Sequence, residues 1–102
     1  MNDIEQLITE IRNFADSRNW GQFHTPKNLA MALAGEVGEL AAEFQWLTPA
    51  ESELSGMSEP KVNDVSLEMA DVAIYLLRLA DVLKIDLADA IRRKISINES
   101  RF

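Results

Sequence analysis

The chain has 102 residues, with 17 Asp plus Glu against 10 Lys plus Arg, one His and no Cys. That length holds one domain, residues 1–102, and a composition of 47% apolar and 26% charged residues is that of a folded globular protein. Without cysteine there is no disulfide scaffold, thiolate metal site or cysteine nucleophile, and a single histidine rules out a His-rich metal site.

Ile4, Leu7, Ile8, Ile11 and Phe14 recur at helical spacing and predict an amphipathic first helix over 3–16. Residues 18–27 read as a loop, because Gly21 and Pro26 interrupt any helix there, and this loop carries Trp20 and Phe23. Thr25 followed by Pro26 fits an N-cap with proline at the first helical position, so a second helix is expected over 26–46. Thr48 with Glu51 three residues on is a capping box opening at most one turn, and 55–60 reads as a loop. A third helix over 61–83 carries Val62, Val65, Leu67, Met69, Val72, Ile74, Leu76, Leu77 and Leu79 on nearly every side, more apolar surface than a monomer this small can cover. Asp86 caps a fourth segment from residue 87 to 96 or beyond, with Leu87, Ala90, Ile91 and Ile95 in phase. No segment alternates as a strand does. The expected fold is all-α, an antiparallel bundle of four main helices with short connections, completed by another subunit.

The net charge of -7 is concentrated: residues 36–71 hold nine acids and one base, Lys61. Such a chain is repelled by nucleic-acid backbones and by anionic membrane surfaces. The first residues mix acids with apolar side chains, unlike a signal peptide, and no apolar run is long enough to span a bilayer, so the expected compartment is the cytoplasm.

Within the acidic third, Glu36 and Glu39 are three apart on the second helix, with Glu43 four further on, and Glu68 and Asp71 are three apart on the third. Each set shares a helix face and is flanked by apolar residues such as Leu33, Val37, Leu67 and Val72. Pairs of this kind are commonplace on solvated faces. On two apolar helices that pack together they are costly, because desolvated carboxylates repel, and a bound cation resolves the conflict. Oxygen-only ligands select a hard ion, Mg²⁺ or alternatively Mn²⁺. Gly35 and Gly38 inside the second helix suggest a backbone that something approaches closely. Trp20, Trp46 and Tyr75, the last four residues after Asp71, offer flat faces on which a nucleobase stacks. Lys94 and Asn98 share a face of the fourth segment and can meet a phosphate, while His24 reads as a hydrogen-bonding loop residue rather than a catalyst. A different class of reading is a non-catalytic helical oligomerisation module presenting an acidic face to a basic partner.

The run W-G-Q-F-H-T-P-K-N-L-A-M-A-L-A-G-E-V-G-E-L-A-A-E-F-Q-W over 20–46, followed by E-M-A-D-V-A-I-Y-L-L-R-L-A over 68–80, resembles the MazG-type all-α nucleoside triphosphate pyrophosphohydrolases, and most of all their short, single-domain, dCTP pyrophosphatase-like members. The shared pattern is E-x-x-E, a spacer, then E-x-x-D, with 28 residues between Glu39 and Glu68 here, and it extends to K-x-x-x-N at Lys94 to Asn98. The resemblance implies that Glu36, Glu39, Glu68 and Asp71 are catalytic Mg²⁺ ligands, and that Trp20, Trp46, Tyr75, Lys94 and Asn98 bind the nucleotide. It also implies hydrolysis between the α and β phosphates of a (deoxy)nucleoside triphosphate, a house-cleaning role in the nucleotide pool, and a homotetramer built from dimers with sites at subunit interfaces. Glu39 or Glu43 is then the candidate to activate the attacking water.

Overall fold

The computed structural model describes residues 2–102, and its helices begin where local side-chain chemistry satisfies free N–H groups. Helix α1 (Asp3–Ser17) opens on a reciprocal capping box, in which the Glu5 N–H donates to Asn2 Oδ1 at 2.8 Å and the Asn2 N–H to Glu5 Oε2 at 3.3 Å. Asn19, in the left-handed region at φ 59°, turns the chain into a single 3-10 turn, Trp20–Phe23. Helix α2 (Pro26–Ala42) starts as expected: Thr25 Oγ1 accepts from the Asn28 N–H at 3.2 Å and Pro26 occupies the first turn.

Two boundaries differ from expectation. The second helix stops at Ala42 rather than 46, because the N–H groups of Glu43 and Phe44 donate to carbonyls three residues back, Leu40 at 3.1 Å and Ala41 at 3.0 Å. That tightening ends the α ladder, and Trp46 lies in the turns beyond it. The third helix, α3 (Glu59–Val82), begins two residues early. Ser58 Oγ accepts from the Lys61 N–H at 3.3 Å, and Pro60 sits in the first turn, where a missing N–H costs nothing. Between them the Thr48 and Glu51 capping box closes as read, at 2.8 and 3.2 Å, and a second 3-10 turn spans Leu54–Gly56. Lys84, left-handed at φ 59°, ends α3, and Asp86 Oδ1 accepts from the Asp89 N–H at 3.0 Å to start α4 (Leu87–Arg101).

All regular structure among the described residues is helical. The most extensive packing is α2 on α3, then α1 on α3, while α4 touches the rest at few points. Among the described residues only Ala15, Leu29, Val65, Leu77 and Ala80 form a buried apolar core. Leu67, Met69, Ile74 and Leu76 on α3 stay exposed, and the radius of gyration is 16.1 Å, where a compact domain of this length has about 13 Å. No helix among the described residues is long and apolar enough to cross a membrane. Nor does any part of the chain press on Gly35 or Gly38: a Cβ at either would meet nothing within 4 Å, so close backbone approach within this chain does not account for them.

Candidate active site

Because α2 packs against α3, the two acidic stripes face one another. Glu36, Glu39, Glu68 and Asp71 each bring one carboxylate oxygen within 4.8 Å of the others. Glu36 and Glu68 are half-buried between the helices, and Glu39 and Asp71 are exposed. Oε2 of Glu36 and Oε2 of Glu68 are shielded from solvent and have no hydrogen-bond partner. A buried carboxylate oxygen without a partner is unfavourable, and a cation held among the four carboxylates would supply one. Partial burial pushes the Glu36 carboxyl above the usual range, with Glu39 next and repulsion from Asp71 and Glu68 adding to it. Glu68 is raised in the same way, by burial first and then by the charges of Glu39, Asp71 and Glu43.

The donor set fits a hard divalent cation. Ligands at 2.0–2.1 Å stand at most about 4 Å apart across an octahedral ion, close to the span of these oxygens, and all four donors are carboxylate. Glu43 is not among them: its Oε1 takes the Lys61 Nζ at 2.9 Å, so the only base in the acidic third neutralises this carboxylate and leaves the other four unpaired. That engagement favours Glu39 over Glu43 as the carboxylate free to accept a proton.

Glu36 and Asp71 also border a cavity of about 300 Å³ whose other walls include Trp20, His24, Ile74, Tyr75 and Arg78. Trp20 and Tyr75 were expected to bind a nucleotide, and the fold places both beside the carboxylates. Tyr75 follows Asp71 by one helical turn, and Trp20 is delivered by the 3-10 turn after α1. The indole is braced from behind, its ring meeting Phe14 edge-on at 5.4 Å and 71°, with the Arg18 guanidinium 3.7 Å from the Phe14 ring centroid. Trp46, Lys94 and Asn98 do not line this cavity; Trp46 is 87% exposed, and the other two lie on the loosely packed α4. Sequence reasoning missed Arg78 altogether. Its signal was there: three residues after Tyr75 and seven after Asp71, it lies on the same face of α3.

No protein-family model matches the chain. Over all 102 residues it is 44% identical to human dCTP pyrophosphatase 1 and 41% identical to the rat protein of that name, covering 58% of each. The chain thus spans little more than half the length of the curated relatives it matches. Among solved structures it resembles a pyrophosphatase from Archaeoglobus fulgidus, with a TM-score of 0.90 and 41% identity over the whole of this chain and 94% of that one.

Proposed function

The chain belongs to the MazG-like all-α nucleoside triphosphate pyrophosphohydrolase family, and from that premise we propose that it is a Mg²⁺-dependent enzyme hydrolysing a deoxynucleoside triphosphate between the α and β phosphates, with dCTP the preferred substrate and clearance of the nucleotide pool its role. One observation carries the reading: four carboxylates on two packed helices converge beside an aromatic cavity, and two of their buried oxygens have no partner. The dCTP preference is drawn from the curated relatives named above.

Glu36, Glu39, Glu68 and Asp71 would hold the cation, Mg²⁺ or Mn²⁺, which when bound offsets their repulsion of a triphosphate and polarises the α-phosphorus. Trp20 and Tyr75 take the base between aromatic surfaces and fix the nucleoside, so that the α-phosphate lies at the carboxylate end. Glu39, exposed and paired with no basic side chain, accepts the proton of the attacking water as that water's oxygen bonds to the α-phosphorus. The bridging α–β bond breaks, and its electrons leave on pyrophosphate; no side chain forms a covalent intermediate.

The same reading has the chain assemble as a homo-oligomer, a homotetramer built from dimers. In support, five apolar residues are buried while Trp46, Leu54, Leu67 and Met69 are more than half exposed. In that assembly Trp46, Lys94 and Asn98 complete the nucleotide site of a neighbouring subunit. The test is Asp71→Asn: turnover is lost with the circular dichroism spectrum and melting cooperativity retained, and near-normal activity would remove Asp71 from the mechanism.

A further inference from the structure

Among the described residues Arg78 is the one charged residue in the buried core, 7% exposed. A guanidinium taken out of water needs acceptors for its N–H groups, and its partners here come from two elements. Its Nε donates to Nδ1 of His24 at 3.0 Å, across 54 residues of sequence. Its Nη1 stands 3.4 Å from Oδ2 of Asp81, the carboxylate that Arg12 also engages. Arginine has no acceptor to offer, so the hydrogen bond to Nδ1 exists only if that nitrogen is bare. The proton of the neutral ring is then on Nε2. Burial, and after it the adjacent Arg78 charge, hold His24 below its usual protonation range, which agrees with a neutral ring.

Both residues line the cavity that holds Trp20 and Tyr75, and the His24 ring lies 6.1 Å from the Trp20 ring at 55°. Asp71, Tyr75 and Arg78 follow one another along one face of α3, which separates Arg78 from Asp71 by about 10 Å, two helical turns. The phosphate end and the Arg78 end of the cavity are thus distinct.

We propose that Arg78 is a positioning residue that acts through His24, occupying the ring's one acceptor and fixing it in the Nε2–H form, so that the ring offers the cavity a hydrogen-bond donor. This rests on the nucleotide reading of the cavity. Its consequence is selectivity by base edge: cytosine offers adjacent acceptors, O2 and N3, whereas uracil and thymine carry a proton on N3 that the His24 ring cannot accept. A site whose polar groups would be left unpaired rejects the wrong edge more strongly than a site that only matches shape.

The chain's single histidine makes the test direct. Two-dimensional ¹⁵N correlation spectra of histidine-labelled protein at pH 7 are expected to show Nδ1 bare and Nε2 protonated, and Arg78→Lys to mix the two neutral forms; a protonated Nδ1 or an imidazolium in the unsubstituted protein overturns the proposal. These spectra need no substrate, so they decide the Arg78–His24 relationship even if no nucleotide is hydrolysed, an outcome that would count against the nucleotide reading instead. With dCTP and dUTP as paired substrates, His24→Ala is expected to lower the kcat/KM preference for dCTP roughly tenfold, the loss falling more on KM than on kcat. His24→Gln, which keeps an N–H donor near the position of Nε2, recovers part of it. A preference unchanged in both variants, with the fold intact by circular dichroism, overturns the selectivity role.

Discussion

Arg12 and Asp81, 69 residues apart, are joined by two parallel hydrogen bonds: Nε donates to Oδ2 at 2.9 Å and Nη2 to Oδ1 at 2.6 Å. The pair ties α1 to the end of α3, where Arg78 shares the same carboxylate. This fork-to-fork geometry is the strong form of a surface ion pair. The hydrogen bond from Arg12 draws the Asp81 carboxyl below its ordinary value of 3.8 against the opposing effect of burial, with the charges of Arg12, Arg78 and Lys84 acting in the same direction as the bond.

A carboxyl lowered on folding contributes stability above its unfolded value, and that stability is lost as the pH falls through the folded one. Asp81→Asn is therefore expected to cost about 1 kcal/mol at pH 7, the half-exposed Arg12 keeping the figure modest. The gap between the two proteins in urea melts should narrow as the pH drops below 3.8. A gap of the same size at pH 7 and pH 2.5 would count against this assignment.

The core is small enough for one side chain to matter. Leu29, 1% exposed at the start of α2, is the most deeply buried large residue, and Leu29→Ala is expected to cost about 3 kcal/mol through lost burial and the cavity left behind. Chemical denaturation measures this, and a loss below about 1 kcal/mol would mean the site collapses freely.

Glu36 and Glu68 repel their neighbours when no cation is present, so the two states of the site respond to Glu68→Gln in opposite directions. In EDTA the variant should melt at a higher temperature than the unsubstituted protein, because one buried charge is gone. With Mg²⁺ added, the unsubstituted protein should gain stability, about 2.7 kcal/mol at a hundredfold excess over its Kd, and the variant should gain little. Equal Mg²⁺ responses would contradict the four-carboxylate site.

Glu39 and Glu43 separate by their partners. Glu43 is held by Lys61 at 2.9 Å, whereas Glu39 has no cation beside it. Glu39→Gln is expected to lower kcat at least about 100-fold, the range of general base catalysis, and Glu43→Gln far less. Initial-rate kinetics of the two variants decide it, and the reverse ranking would move the proton acceptor to Glu43.

What the sequence made legible was local. Thr25 with Pro26, the Thr48 and Glu51 box and Asp86 all act within one helical turn, and each appears where its spacing puts it. The acidic pairs were equally readable, because residues three apart share a face whatever the tertiary structure. The premature end of α2 was not, since the amphipathic pattern runs on to Trp46 while the backbone tightens at Glu43 and Phe44. Residues 59 and 60 read as loop rather than helix because the tolerance of Pro60 in a first turn depends on Ser58 acting as the cap. The Arg12–Asp81 and Arg78–His24 pairs join residues 69 and 54 apart, and no periodicity along one helix encodes a partner on another.

The central claim is best tested by following the products of dCTP hydrolysis with ³¹P NMR in the presence of Mg²⁺. Cleavage between the α and β phosphates predicts dCMP and pyrophosphate as the first products, with turnover lost in EDTA. First appearance of dCDP with orthophosphate, or an undiminished rate without divalent metal, would contradict it.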